Sequence, residues 1–180
     1  MQAEEVLNDY SLGRDDERLN ETVAALLSEG GLTIAAAESC TGGGIMKKLT
    51  DLPGSSRYFV GGVVSYSNEL KINLLGVPEE VLDSYGAVSE QTARAMAEGI
   101  CRVTGSFLGL GVTGIAGPDG AMPGKPVGLV YIALAAGDQV FCIRHIFPGQ
   151  RAEVRAGASN AALDMVRRFL SNKSIDTNRK

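Results

Sequence analysis

Leu32 Thr33 Ile34 Ala35 Ala36 Ala37 Glu38 Ser39 Cys40 Thr41 Gly42 Gly43 Gly44 Ile45 Met46 Lys47 Lys48 Leu49 is the stretch that decides the fold. Its apolar run, Leu32 to Ala37, reads as a buried strand, and Ile45 to Leu52 reads as a short helix, so a strand ends on a polar, glycine-rich turn. Such a turn exposes its side chains at the carboxyl end of a strand. The helix behind it aims free N–H groups and the positive end of its dipole at them, an arrangement suited to an anion or to an attacking oxygen.

Outward from that turn, strands and helices alternate. Before it, Leu19, Val23, Leu26 and Leu27 recur at helical spacing until Gly30 Gly31. After it, Pro53 Gly54 Ser55 Ser56 marks a loop and Tyr58 to Ser67 a strand with a glycine pair inside it. Asn68 to Gly76 and the segment from Pro78 are short helices, and Ser89 caps a longer one from Glu90 to Thr104. Ser106 to Thr113 is the next strand, leaving through a long Gly-rich loop that continues to Pro126. Val127 to Ala135 and Val140 to Phe147 form a hairpin. The last helix, Arg151 to Leu170, has Val154, Ala158, Ala161, Ala162, Met165, Val166 and Phe169 on one face, with Arg155, Asp164, Arg167 and Arg168 pointing away. This order predicts a single α/β domain, a three-layer α/β/α sandwich with a mixed sheet, over residues 16–172. Residues 1–15 read as an N-terminal extension and 173–180 as a polar tail.

With 180 residues, 44% hydrophobic and 21% charged, the chain can bury one genuine core. A net charge of −4 without any long basic cluster argues against a nucleic-acid or anionic-membrane partner. No run is long enough to span a membrane and no signal peptide is evident, so a soluble cytoplasmic protein is expected. Three scattered cysteines and one histidine offer neither a disulfide framework nor a metal cluster, and no metal or cofactor is expected. The sequence leaves homo-oligomerisation open, and a domain this small is compatible with a site completed by a neighbouring subunit.

Polar groups gather at three predicted strand ends: Ser39 to Gly44, Ser65 to Lys71, and Thr113 to Lys125. In an open α/β sheet such ends converge on the ligand crevice. A serine nucleophile needs a base. His145 shares a strand face with Phe141, Ile143 and Phe147 and reads as structural. A desolvated lysine can replace imidazole, and Lys71, with Tyr66 relaying or orienting the proton, could serve. The plainer interpretation is a surface lysine and a half-buried tyrosine. Cys40 competes with Ser39 as nucleophile, since a thiol at a helix start has a depressed pKa; otherwise it is a small core residue. Glu38 could pair with a nearby cation. Arg151 opposes the dipole of the helix it begins, which fits either phosphate binding or a solvated side chain.

Together, Glu38 Ser39 Cys40 Thr41 Gly42 Gly43, Tyr66 Ser67 Asn68 with Lys71, Gly86 Ala87 Val88 Ser89, Thr113 Gly114 Ile115 Ala116 Gly117 Pro118, and Lys125 Pro126 Val127 Gly128 resemble the CinA C-terminal domain family over roughly residues 19–170. The resemblance implies nicotinamide-nucleotide amidohydrolase activity, converting nicotinamide mononucleotide and water to nicotinate mononucleotide and ammonia. It also implies Ser39 as nucleophile with Tyr66 and Lys71 as activating partners, and it does not implicate Cys40. On this basis the small-molecule nucleotide is expected to meet Cys40, Thr41, Gly42, Gly43, Ser89, Thr113, Gly114, Ile115, Ala116, Gly117 and Arg151. Backbone N–H groups around Thr41 to Gly43 are expected to hold the oxyanion, and the Gly114 to Gly117 loop and Arg151 the phosphate. Gln150, where the family often has aspartate, and Ala121, where a second glycine is common, are departures at this rim. The large N-terminal domain of fused members is missing from the sequence, which implies a stand-alone form. The competing expectation is a non-catalytic nucleotide-binding module that uses the same Gly-rich cradle.

Overall fold

The computed structural model describes residues 14–175. The expected extension before residue 14 and the end of the tail, 176–180, lie outside them. Helix α1 (Arg14–Gly30) leads into β1 (Ile34–Glu38), α2 (Gly44–Thr50), a 3₁₀ turn (Ser55–Arg57) and β2 (Phe59–Val64). Helices α3 (Asn68–Leu75), α4 (Glu79–Tyr85) and α5 (Glu90–Thr104) then precede β3 (Leu108–Gly114). The hairpin β4 (Leu129–Ala136) and β5 (Gln139–Ile146) leads to α6 (Arg151–Leu170). No helix of the described residues is long and apolar enough to cross a membrane.

The five strands run in the order β2-β1-β3-β4-β5. β1 pairs parallel with both β2 and β3, and the hairpin strands continue the sheet antiparallel. The sheet is therefore mixed, as the sequence predicts. The chain leaves β1 to one side for β2 and returns to its other side for β3, so β1 is the switch point at which the carboxyl ends of parallel strands open a crevice.

Strand alternation divides β1 between two faces. Ile34 and Ala36 join the larger core, with Val23 and Leu27 of α1, Ile45 and Leu49 of α2, and Val154 and Ala158 of α6. Ala35 and Ala37 face Leu75, Met96 and Ile100 on α3 and α5. The second face is lined with small residues because α5 lies unusually near the sheet: a Cβ on Gly111 would sit 2.3 Å from the Ala93 carbonyl oxygen. Gly111→Ala is expected to lower stability by about 1–3 kcal/mol through overpacking, read as a shifted urea midpoint with unchanged slope.

Strand boundaries shift from the sequence reading by one to three residues, Tyr58–Ser67 shortening to Phe59–Val64 and Val127–Ala135 becoming Leu129–Ala136. Tyr58 precedes β2 and is an anchor, its buried ring letting the hydroxyl donate to the Leu49 carbonyl at 2.8 Å. Aromatic and β-branched residues score alike for strands, so the pattern cannot separate a strand residue from a packing residue beside it. His145 packs against Phe147 with ring centroids 5.2 Å apart, in line with a structural role.

Candidate active site

Ser39 follows the last residue of β1, and its N–H donates to the Val112 carbonyl of β3 at 3.0 Å. The alternation that sends Ala35 and Ala37 toward α3 and α5 carries on into Ser39. Lys71, on α3, meets it there. The Lys71 ammonium nitrogen lies 3.4 Å from Ser39 Oγ, donates to the Ser65 carbonyl at 2.8 Å, and is 3.5 Å from the Tyr66 carbonyl. Only 1% of Lys71 is exposed, and among the described residues its amine faces no carboxylate. Burial holds its pKa below the ordinary lysine value, opposed by the Cys40 side chain. A serine hydroxyl beside an amine biased toward its neutral form is an arrangement that can supply a nucleophile and a base. The surface-lysine interpretation is thereby excluded.

Glu38 and Cys40 point the other way. Cys40 belongs to the larger core, and burial, with some help from the charge of Glu38, pushes its thiol up to about 12. The expected activation of this thiol by the helix start fails because desolvation outweighs the dipole. Glu38 is fully buried and, among the described residues, pairs with no cation. Its Oε2 accepts from the Gly43 N–H at 2.9 Å and the Ile45 N–H at 3.3 Å, and its Oε1 from the Met46 N–H at 2.8 Å. The carboxylate one residue before Ser39 therefore satisfies the start of α2 from within the protein.

This corrects the expected cradle. The Gly43 N–H belongs to Glu38, and the Gly42 N–H donates to the Ser39 carbonyl at 3.1 Å. Neither can hold an oxyanion or a phosphate. The N–H groups of Cys40 and Thr41 turn toward the Cys40 sulfur, where they oppose the rise of its pKa, and among the described residues the buried Thr41 hydroxyl has no partner. Glu38→Ala strips three N–H groups of their acceptor. It is expected to lower stability by about 3 kcal/mol, measurable by urea unfolding, with Glu38→Gln losing less because the amide oxygen still accepts.

The glycines of the turn serve close approach. Gly42 has φ +59°, and a Cβ there would lie 2.9 Å from Arg155 Nη2; a Cβ on Gly44 would lie 2.8 Å from Ser159 Oγ. Helix α6 thus presses on the turn. Arg155 does not point away as its helical position suggested: its Nε and Nη2 donate to the Thr41 carbonyl at 3.2 and 2.9 Å.

The rim of the crevice is tied together by Arg151. Its Nη2 donates to the Tyr66 hydroxyl at 2.9 Å and its Nη1 to the Gly117 carbonyl at 3.0 Å, joining the ends of β2 and the β3 loop to α6. Tyr66 is 58% exposed, and its contact with Lys71 is through the main-chain carbonyl, with the phenol turned to Arg151. The structure brings Tyr66, Gly117 and Arg151 together, and separately Ser39 and Lys71.

Other predicted contacts have structural partners. The Ser89 hydroxyl caps α5, accepting from the Thr92 N–H and donating to the Gly86 carbonyl. Thr113 Oγ1 donates to the Ala87 carbonyl at 2.6 Å, fastening β3 to the loop before α5. Ala116 joins the larger core, Ile115 is buried with its main chain bonded to Gly128 and Leu129, and Gly114 stands against Val130. Of this loop, the Gly117 carbonyl reaches the rim. Gln150 precedes α6, its N–H accepted by Glu153, and Ala121 is exposed on the loop beyond Pro118. Among the described residues no group of three or more His, Cys, Asp or Glu is placed to hold a metal ion.

The family model for the CinA C-terminal domain matches residues 16–170. A competence-damage inducible protein of Desulforudis audaxviator is 56% identical over 169 residues, 94% of this chain and 41% of the relative. A CinA-like protein of Geotalea uraniireducens is 48% identical over 175 residues, 97% of this chain and 42% of the relative. The chain therefore spans about two fifths of the length of these relatives. Among solved structures, the competence/damage inducible protein CihA of Agrobacterium tumefaciens superposes with a TM-score of 0.84 at 39% identity, covering 87% of this chain and 96% of that one. A Klebsiella pneumoniae competence damage-inducible protein gives 0.85 at 33% identity, covering 88% and 99%.

Proposed function

The chain belongs to the CinA C-terminal domain family, and from that premise we propose that it is an amidohydrolase acting on nicotinamide mononucleotide through Ser39. The observation that carries this is the 3.4 Å approach of a buried, charge-averse Lys71 amine to Ser39 Oγ. Neutral Lys71 takes the Ser39 proton as Oγ attacks the carboxamide carbon. As the C–N bond breaks, Lys71 returns the proton to the departing nitrogen, which leaves as ammonia. Water then attacks the acyl ester, again with Lys71 as base, and nicotinate mononucleotide is released. The charged pyridinium ring makes the carboxamide more electrophilic, which suits a serine without an imidazole.

In this reading Arg151, which bonds Tyr66 and Gly117, also receives the ribose phosphate. The binding-module alternative loses its main support, because its anion cradle is filled by Glu38. Incubation of the protein with nicotinamide mononucleotide should release ammonia and nicotinate mononucleotide in equal amounts over many turnovers. Ligand binding without ammonia would overturn the amidohydrolase reading.

A further inference from the structure

The turn that carries Ser39 is gripped from two sides. Glu38 holds its end nearest α2 from the strand, through the N–H groups of Gly43, Ile45 and Met46. From α6, which packs beside α2 on the same face of the sheet, Arg155 reaches over with two donors on one carbonyl oxygen, that of Thr41. This is a costly use of an arginine unless the carbonyl must stay where it is. The residues one turn away on α6 are Arg151 and Ser159, and the nearby carboxylate, Glu153, accepts from Gln150. Among the described residues the Arg155 guanidinium has the Thr41 carbonyl as its hydrogen-bond partner. Its approach requires a residue without a side chain at position 42.

Resting on the amidohydrolase reading above, we infer that Arg155 is a positioning residue for the nucleophile, acting through the Thr41 carbonyl. Pinning that oxygen fixes the plane of the peptide between Thr41 and Gly42. The N–H of the same peptide is thereby aimed at the Ser39 carbonyl, 3.1 Å away, which closes the turn on the nucleophile's own main chain. With Gly42 at φ +59°, this peptide has an alternative within easy reach, since glycine crosses between positive and negative φ without a Cβ penalty. Loss of Arg155 leaves the Thr41 carbonyl with the Gly44 N–H alone, at 3.2 Å, and loosens the peptide. Ser39 then drifts from Lys71. A displacement of about 1 Å is enough to cost about 100-fold in rate. The guanidinium also leaves its charge on the turn, where a developing oxyanion would feel it, whereas lysine at 155 would keep the charge with fewer fixed donors.

The test is a series of Arg155→Ala and Arg155→Lys read by two independent signals: ammonia release, and the rate at which phenylmethanesulfonyl fluoride labels Ser39, followed by intact mass. In labelling, the Ser39 oxygen to sulfur bond forms, fluoride leaves, and Lys71 takes the proton. Arg155→Ala is expected to slow labelling and kcat by about 10- to 100-fold with KM changed by less than about threefold. Arg155→Lys should fall between, and added guanidinium should recover activity in the alanine variant. The pH at which the rate rises should stay at the wild-type value, because Lys71 is untouched. Labelling of Arg155→Ala within twofold of the wild type, or a loss that neither guanidinium nor lysine relieves, overturns the inference. An unmodified protein that labels at Ser39 but releases no ammonia would instead refute the substrate reading, with the labelling series still deciding the role of Arg155.

Discussion

Ser39→Ala is expected to abolish ammonia release from nicotinamide mononucleotide, lowering kcat/KM by about 10⁴-fold or more, as loss of the nucleophile does when the other groups act only through it. Cys40→Ala should stay within about threefold. The contrast follows from the side of the turn each residue faces. Ser39 lies beside an amine in the crevice, whereas Cys40 is packed in the core with its thiol pushed up to about 12, so no appreciable thiolate exists at neutral pH. Ser39→Ala removes one oxygen and should leave stability nearly unchanged, so the loss can be assigned to chemistry. Equal losses in the two variants would contradict this geometry.

Lys71→Met should lower kcat by about 10²- to 10⁴-fold, the usual worth of a general acid and base, while substrate binding measured by calorimetry changes little. It should also do something most active-site substitutions do not. Burial places the native pKa of Lys71 below its ordinary value of 10.5, so between those two values the unfolded chain holds more of this proton than the folded one. The penalty is therefore full at pH values below the native pKa and fades as pH rises toward 10.5. Lys71→Met removes it. The stability of the variant relative to the wild type should be most favourable at neutral pH and should shrink steadily toward alkaline pH, read as the difference in Tm across a buffer series. Wild-type activity should climb with pH in the same window, as the amine becomes the free base. A variant whose relative stability did not change with pH would show that Lys71 carries its charge comfortably, and the proposed base would fail.

The strand, turn and helix around Ser39 were legible because each has its own local signal: an apolar run, a glycine triplet, a helical period. Lys71 was legible as a candidate because β2 ends within one turn of α3. The roles of Glu38 and Arg155 were not. Glu38 reads on paper as a carboxylate awaiting a cation, and only strand alternation combined with the packing of α2 shows that its partners are main-chain N–H groups. Arg155 sits at the margin of the apolar face of α6, where periodicity assigns a direction but cannot tell whether a long side chain bends back across the layer. Tyr66 illustrates the converse. Its place beside Lys71 in sequence suggested a shared proton, yet the chain turns between β2 and α3 and gives its phenol to Arg151. Ile115 and Ala116 lie in a segment that looks like an open loop but returns into the core.

The most direct test of the central claim, a serine acyl ester formed with lysine as the base, is interception by hydroxylamine. Its nitrogen attacks the ester carbonyl in place of water, and Ser39 leaves with a proton from Lys71. With the wild-type protein and nicotinamide mononucleotide, the hydroxamate of nicotinate mononucleotide should accumulate at the expense of the acid as hydroxylamine is raised. Ser39→Ala should give none. Undiminished formation of the acid, with no hydroxamate at any hydroxylamine concentration, would mean that water attacks the amide directly and would contradict the account.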